Sequence, residues 1–201
     1  EDAMSRLSAD AEPSGGGREV RARRHRPGWR KVLGSRVVIV IVAAALALLL
    51  RTYVIQFAVV RGVSMEPTLY EGEWLLVNKV VYAYDEPRRG DIVILRNPSE
   101  RPDSPELIVK RIVGEPGDTL EIRGGRLYVD GARLIEPYVD AEIADGGMPP
   151  VRISDGHYFV MGDNRRLAAS EDSRSFREVE RERIVGRAEF VIWPIPSWKR
   201  L

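Results

Sequence analysis

The chain has 201 residues, with 31 lysines and arginines against 30 aspartates and glutamates, two histidines and no cysteine. A net charge of +1 leaves no overall basic field of the kind that nucleic-acid binding needs. The missing cysteines exclude disulfides, thiol nucleophiles and thiolate metal sites, and the length suits one domain with appendages.

Residues 1–28 are rich in Gly, Ser, Pro and Arg and lack apolar periodicity, which predicts a disordered basic tail. Arg18, Arg21, Arg23, Arg24, Arg26, Arg30, Lys31 and Arg36 crowd in front of an apolar run. A nucleic-acid contact is one reading of this cluster, and a solvated run beside a membrane is the plainer one. Val37 to Leu50 is unbroken Val, Ile, Ala and Leu, which alone would cover about 21 Å of a hydrocarbon core of about 30 Å. Extending back to Val32, with Trp29 at the interface and Arg36 snorkelling, makes it long enough. Residues 29–52 therefore read as a transmembrane anchor. A buried core helix is an alternative, but the run has no polar face. A cleaved signal peptide is another, but Arg51 and Thr52 stand where its small-residue cleavage site would be. The basic residues on the N-terminal side predict a cytoplasmic N-terminus, which puts residues 53–201 outside the cytoplasm.

From Tyr53 onward, short runs of Val, Ile, Phe and Tyr alternate with Gly, Pro, Asp and Asn, the signal of strands and turns. Strands are expected at Trp74–Val77, Asp91–Leu95, Leu107–Val113, Leu120–Ile122, Leu127–Val129 and His157–Met161, with a closing segment at Arg183–Pro194. Gly124-Gly125 predicts a tight hairpin and Asp130-Gly131 a second turn that extends it into a meander. Residues 136–155, broken by Pro137, Gly146, Gly147, Pro149 and Pro150, read as a small irregular insertion. The fold class is mainly β.

Ser64 follows Gly62 and Val63 on a turn and precedes Pro67, which makes it the candidate nucleophile. A serine hydroxyl attacks only if a base takes its proton. His25 lies in the basic tail and His157 opens an apolar strand, where a structural role fits better. Two isolated histidines without cysteine also argue against a zinc site. That leaves Lys110, since a Ser-Lys pair follows the same logic as the histidine-based triad. Composition alone also permits a lysine that protects an edge strand from aggregation. To act as a base, its amine must be neutral, so its pKa must fall from about 10.4 by about 2 to 3 pH units, which apolar burial can achieve.

Three blocks occur in order: Gly62-Val63-Ser64-Met65-Glu66-Pro67-Thr68-Leu69, Val109-Lys110-Arg111-Ile112-Val113-Gly114 and Met161-Gly162-Asp163-Asn164-Arg165. Together they resemble the bacterial type I signal peptidase family, over about residues 36 to 193. The resemblance implies a signal-peptidase-like catalytic β domain behind one N-terminal transmembrane helix. It also implies a membrane-bound serine endopeptidase that removes signal peptides from secretory preproteins, with Ser64 as nucleophile and Lys110 as base. The implied partners are those preproteins and the lipid bilayer, with no nucleic acid, metal or organic cofactor.

The family's third block continues with two variable residues, Ser, one variable residue and Asp-Ser-Arg. Here four residues, Arg166 to Ala169, precede Ser170-Glu171-Asp172-Ser173-Arg174, so an insertion of two residues is expected to bulge outward. The resemblance then implies that Ser170 hydrogen-bonds the Lys110 amine and that Asp172 with Arg174, and Asp163 with Arg111, form supporting ion pairs. From the residues alone, these charges would be ordinary solvated turn positions. The resemblance further implies an extended substrate against strands near Val60 and Val109. The backbone N–H of Ser64 should stabilise the oxyanion. Gly62 cannot offer the second, hydroxyl donor that some family members carry at its position.

Overall fold

The computed structural model describes residues 29–99, 101–144 and 146–201; the tail expected over residues 1–28 lies outside them. The described residues divide into two units, with 29–42 in the first and those from 43 to 201 in the second. Helix α1 (Trp29–Leu49) begins in the first and ends in the second. Every residue from Arg36 to Tyr53 is exposed, so the buried-core alternative fails: a helix that is apolar all round and uncovered must meet something other than water. The 19 residues from Arg36 to Val54 are long and apolar enough to cross a membrane, covering about 28 Å at ~1.5 Å per residue. A wider π turn over Leu50–Val54 ends the helix.

The second unit continues with β1 (Ile55–Val59), β2 (Trp74–Asn78), a helical turn α2 (Val81–Tyr84), β3 (Ile92–Arg96), β4 (Leu107–Gly114), β5 (Thr119–Arg123), β6 (Arg126–Val129) and β7 (Ala132–Arg133). Then come β8 (Met148–Arg152), β9 (His157–Met161), α3 (Ser173–Phe176), β10 (Val179–Glu180), β11 (Ile184–Trp193) and β12 (Lys199–Arg200). The large sheet runs β1-β2-β11-β3-β4-β9-β10, with β12 on β11, and a small sheet runs β7-β6-β5-β8. All pairings are antiparallel. The long strand β11 pairs with both β2 and β3, and its register shifts at three points. Such bulges raise the local twist and let a sheet curl.

Three apolar clusters hold this unit together. One joins β1, β2, β4 and β11 to the turn after β1 through Val60, Met65, Leu69, Leu75 and Val191. A second fills the small sheet around Leu120, Leu127 and Ile153, and a third packs Val93, Ile112 and Val160 on the large sheet. The expected hairpin is present: Gly124 and Gly125 both take positive φ, 57° and 73°, which side-chain-bearing residues resist.

The reading of residues 136–155 as irregular needs correction. Met148–Arg152 forms β8, pairing with β5. Pro149 and Pro150 mask the pattern, but β8 is an edge strand whose register shifts where they stand, between Met148 and Val151, and edges and bulges are the places where a missing N–H is tolerated.

Candidate active site

The turn that carries Ser64 grows from the end of β1. Val60 N–H donates to Glu73 O (2.8 Å) and Gly72 N–H to Val60 O (3.0 Å), closing the neck of a loop from Arg61 to Glu71. Gly62 has φ +76°, a left-handed conformation natural to glycine. Beyond the turn, Met65 and Leu69 are buried in the first cluster, anchoring its far side. Ser64 is left half-buried between them.

A second segment fixes the turn from below. Asn164 N–H donates to Ser64 O (3.0 Å) and its side-chain amide to Val63 O (3.0 Å). Both carbonyls of the turn are thus held inward, while among the described residues the Ser64 N–H has no acceptor. An amide so presented, beside its own hydroxyl, has the form of an oxyanion donor. Asn164 stands inside the Gly-Asp-Asn-Arg block, but nothing in the sequence assigns its side chain to the serine turn.

Lys110 enters from β4 and donates from Nζ to Ser64 Oγ at 2.8 Å. The side chain is almost wholly buried, 4% exposed. Burial pushes its pKa down to about 8, against the upward pull of the Asp172, Glu171 and Asp163 carboxylates, while the Arg174 guanidinium adds to the fall. The edge-lysine alternative requires an exposed ammonium and fails on this burial.

The charges beside the pair are also buried, contrary to what isolated turn residues would do. Arg111 holds Asp163 with two bonds, Nε to Oδ1 (2.8 Å) and Nη2 to Oδ2 (2.6 Å). Arg174 grips Asp172 the same way, Nε to Oδ1 and Nη2 to Oδ2, both at 2.8 Å. Burial drives the Asp172 carboxyl upward, but Arg174, the Gly162 N–H and the Ser170 hydroxyl outweigh it and hold the group below the ordinary carboxylate value. Thr68 Oγ1 donates to Asp163 Oδ2, tying the serine turn to the same pair.

Ser170 differs from expectation. Its hydroxyl donates to Asp172 Oδ2 at 2.8 Å, and among the described residues the side-chain hydrogen bond of Lys110 goes to Ser64 alone. A carboxylate accepts strongly, whereas an amine with a pKa of about 8 is largely protonated at neutral pH and has no lone pair to offer, so Ser170 supports Asp172, whose charge acts on Lys110. The four residues before it form a surface turn, with Leu167 71% exposed and Ala169 N–H bonded to Arg166 O.

The segment after β7 also touches the site. Arg165, 1% exposed, donates to both oxygens of Glu136, which accepts Tyr138 Oη as well (2.9 Å). The Tyr138 ring lies 3.9 Å from the Arg111 guanidinium. The beginning of the expected insertion is therefore a clamp on the loop carrying Asp163 and Asn164. His157 lies apart, its Nδ1 2.9 Å from Asp155 O.

In front of the Ser64–Lys110 pair opens a groove of about 430 Å³, walled by Val59 and Val60 on one side and by Ile108 and Val109 on the other. Val60 and Val109 both line it and both belong to the first core cluster. The arrangement comprises a hydroxyl, an amine with a depressed pKa, a free amide and an apolar trough. These can carry out acyl transfer on an extended chain.

Residues 33–193 match the family described as signal peptidase, peptidase S26. A signal peptidase I of Bacillus amyloliquefaciens is 38% identical over 170 residues, spanning 80% of this chain and 86% of its own. A probable signal peptidase I of Synechocystis is 37% identical over 179 residues, 87% of this chain and 90% of its own. A solved signal peptidase I from Enterococcus faecalis aligns with a TM-score of 0.41 at 28% identity, over 51% of this chain and 97% of that one. The family match over residues 33–193 and the two curated relatives lead to one conclusion: the chain belongs to the signal peptidase family, peptidase S26.

Proposed function

We propose that this chain is a membrane-bound serine endopeptidase that removes N-terminal signal peptides from translocated preproteins by a Ser64–Lys110 dyad. The observation that carries the reading is the 2.8 Å contact between Lys110 Nζ and Ser64 Oγ in a buried setting. Neutral Lys110 takes the hydroxyl proton as Oγ attacks the scissile carbonyl, and the Ser64 N–H receives the developing oxyanion. The lysine ammonium then gives that proton to the leaving amine, breaking the C–N bond and leaving a Ser64 ester. Water, deprotonated by the same amine, hydrolyses the ester and frees Ser64.

Asp163 with Arg111, and Asp172 with Arg174 and Ser170, act as positioning groups in this scheme. The first pair steadies the serine turn through Thr68. The second balances the charge near Lys110 without touching it. The preprotein lies extended in the trough between Val60 and Val109. The apolar span Arg36–Val54 anchors the protein in the lipid bilayer. The basic residues before it orient the N-terminus to the cytoplasm and the catalytic unit to the other side. The preprotein's own signal segment sits in the same bilayer, so a nucleophile ten residues after Val54 in the chain meets it there.

The test incubates the detergent-solubilised full chain with a secretory precursor and maps the new N-terminus by mass spectrometry. Ser64→Ala and Lys110→Ala should each abolish cleavage, and cleavage retained in either variant rules out the dyad. Lys110→Arg should also be inactive, because a guanidinium does not deprotonate.

A further inference from the structure

A second cavity, of about 460 Å³, lies where the apolar helix gives way to β1, lined by Leu48, Arg51, Thr52, Ile55, Gln56, Phe57 and Lys79. Its charge is one-sided: two cations and no carboxylate. The Arg51 side chain makes no hydrogen bond or ion pair among the described residues. Lys79 donates one Nζ proton to Thr52 O (2.7 Å), leaving two for another acceptor. The wall is stiff, because Lys79 N–H also holds Val54 O (2.9 Å) and Thr52 Oγ1 holds Leu48 O (2.8 Å).

We infer that the notch between Arg51 and Lys79 binds the phosphate of an anionic membrane phospholipid, with the adjoining hydrocarbon against Leu48 and Phe57. The inference rests on the anchored reading above and adds a headgroup site to it. A guanidinium fork suits two phosphate oxygens and an ammonium adds a point charge. A soluble anion would use the cations but not the apolar walls. Phe57 is 53% and Leu48 66% exposed, surface that a lipid tail covers favourably. Arg51 directly follows the apolar run that ends at Leu50, the depth at which headgroups begin. Gln56 and Phe57 line both this notch and the catalytic groove, so a bound headgroup would stand beside the substrate's entry along β1.

The experiment reconstitutes the full chain in nanodiscs of phosphatidylcholine containing a minor share of phosphatidylglycerol, and counts retained lipids by native mass spectrometry. The wild type should retain one phosphatidylglycerol in preference to phosphatidylcholine. In the Arg51→Gln, Lys79→Gln double variant that preference should fall on the order of tenfold or more. Arg88→Gln, which removes an exposed cation paired with Asp85, should leave it unchanged. Equal retention in the double variant and the wild type overturns the site, as does equal retention of the two lipids by the wild type. Displacement by excess inorganic phosphate would overturn its assignment to lipid. Failure of the wild type to enter nanodiscs of pure phosphatidylcholine would instead defeat the anchored reading, and this inference with it.

Discussion

Replacing Gly162 by alanine tests the site at its tightest point. A methyl there would lie 2.3 Å from both Ser64 O and Ser170 Oγ, and 2.7 Å from Ser170 Cβ. Ordinary contact begins at 3.4 Å, so the neighbours must open by about 1 Å. Gly162 is not in the left-handed region, so alanine's backbone is tolerated and the whole effect is steric. The Ser64 carbonyl cannot simply swing aside, because Asn164 N–H on the same loop holds it at 3.0 Å. Any relief therefore moves the nucleophile relative to Lys110. A misplacement of that size costs about 10²-fold in rate, or ~2.7 kcal/mol of barrier, while overpacking costs about 1 to 3 kcal/mol of stability. Single-turnover cleavage of a preprotein, beside thermal melting, separates the two effects. Gly186→Ala is the control: its methyl would lie 2.5 Å from Asn78 O, outside the groove, so it should lower Tm and spare kcat. Wild-type kcat in a folded Gly162→Ala variant would refute the placement of Ser64 against this loop.

The depressed pKa of Lys110, about 8, predicts that kcat/KM climbs about tenfold per pH unit below that value and levels off above it; a flat profile across this range contradicts an amine base. The same group affects folding: between about 8 and 10.5 the unfolded chain binds more protons at this lysine, so its contribution to stability improves as pH rises through that window, measurable by denaturant titration. Asp172→Asn removes the strongest upward pull on Lys110. The rising limb should then move to lower pH, while stability falls by about 1.5 to 3 kcal/mol because Arg174 loses the carboxylate it grips with two hydrogen bonds. Asn164→Ala removes one of the two donors to Val63 O, leaving Glu66 N–H (3.2 Å), and keeps the backbone bond to Ser64 O. It should cost about 1 kcal/mol of stability and lower kcat by about tenfold, as read by the same cleavage assay.

Much of this protein is legible without coordinates because its signals are local. Strand runs such as Leu107–Val113 and Leu127–Val129 show themselves by apolar content, and Gly124-Gly125 by the φ values it alone tolerates. The apolar helix is a matter of length and composition. β8 escaped because edge strands tolerate proline, and a rule built on ladder hydrogen bonds reads proline as a break. The clamp of Glu136 and Tyr138 on Arg165 and Arg111 escaped because each partner is an ordinary polar residue until the chain brings them together.

The sequence by itself determined the mainly β class, the apolar segment and the pairing of Ser64 with Lys110 through a resemblance carried by three short blocks. Only the tertiary structure decided what those residues can do. The packing of β4 strips the Lys110 amine of water and lowers its pKa to about 8, the condition that a role as base requires. Asn164 turns the Ser64 amide outward by occupying the carbonyls beside it. The Ser170 hydroxyl goes to Asp172 because a carboxylate already fixed by Arg174 stands nearest. Burial, direction and competition for a shared proton depend on atoms from distant parts of the chain, and no local pattern encodes them.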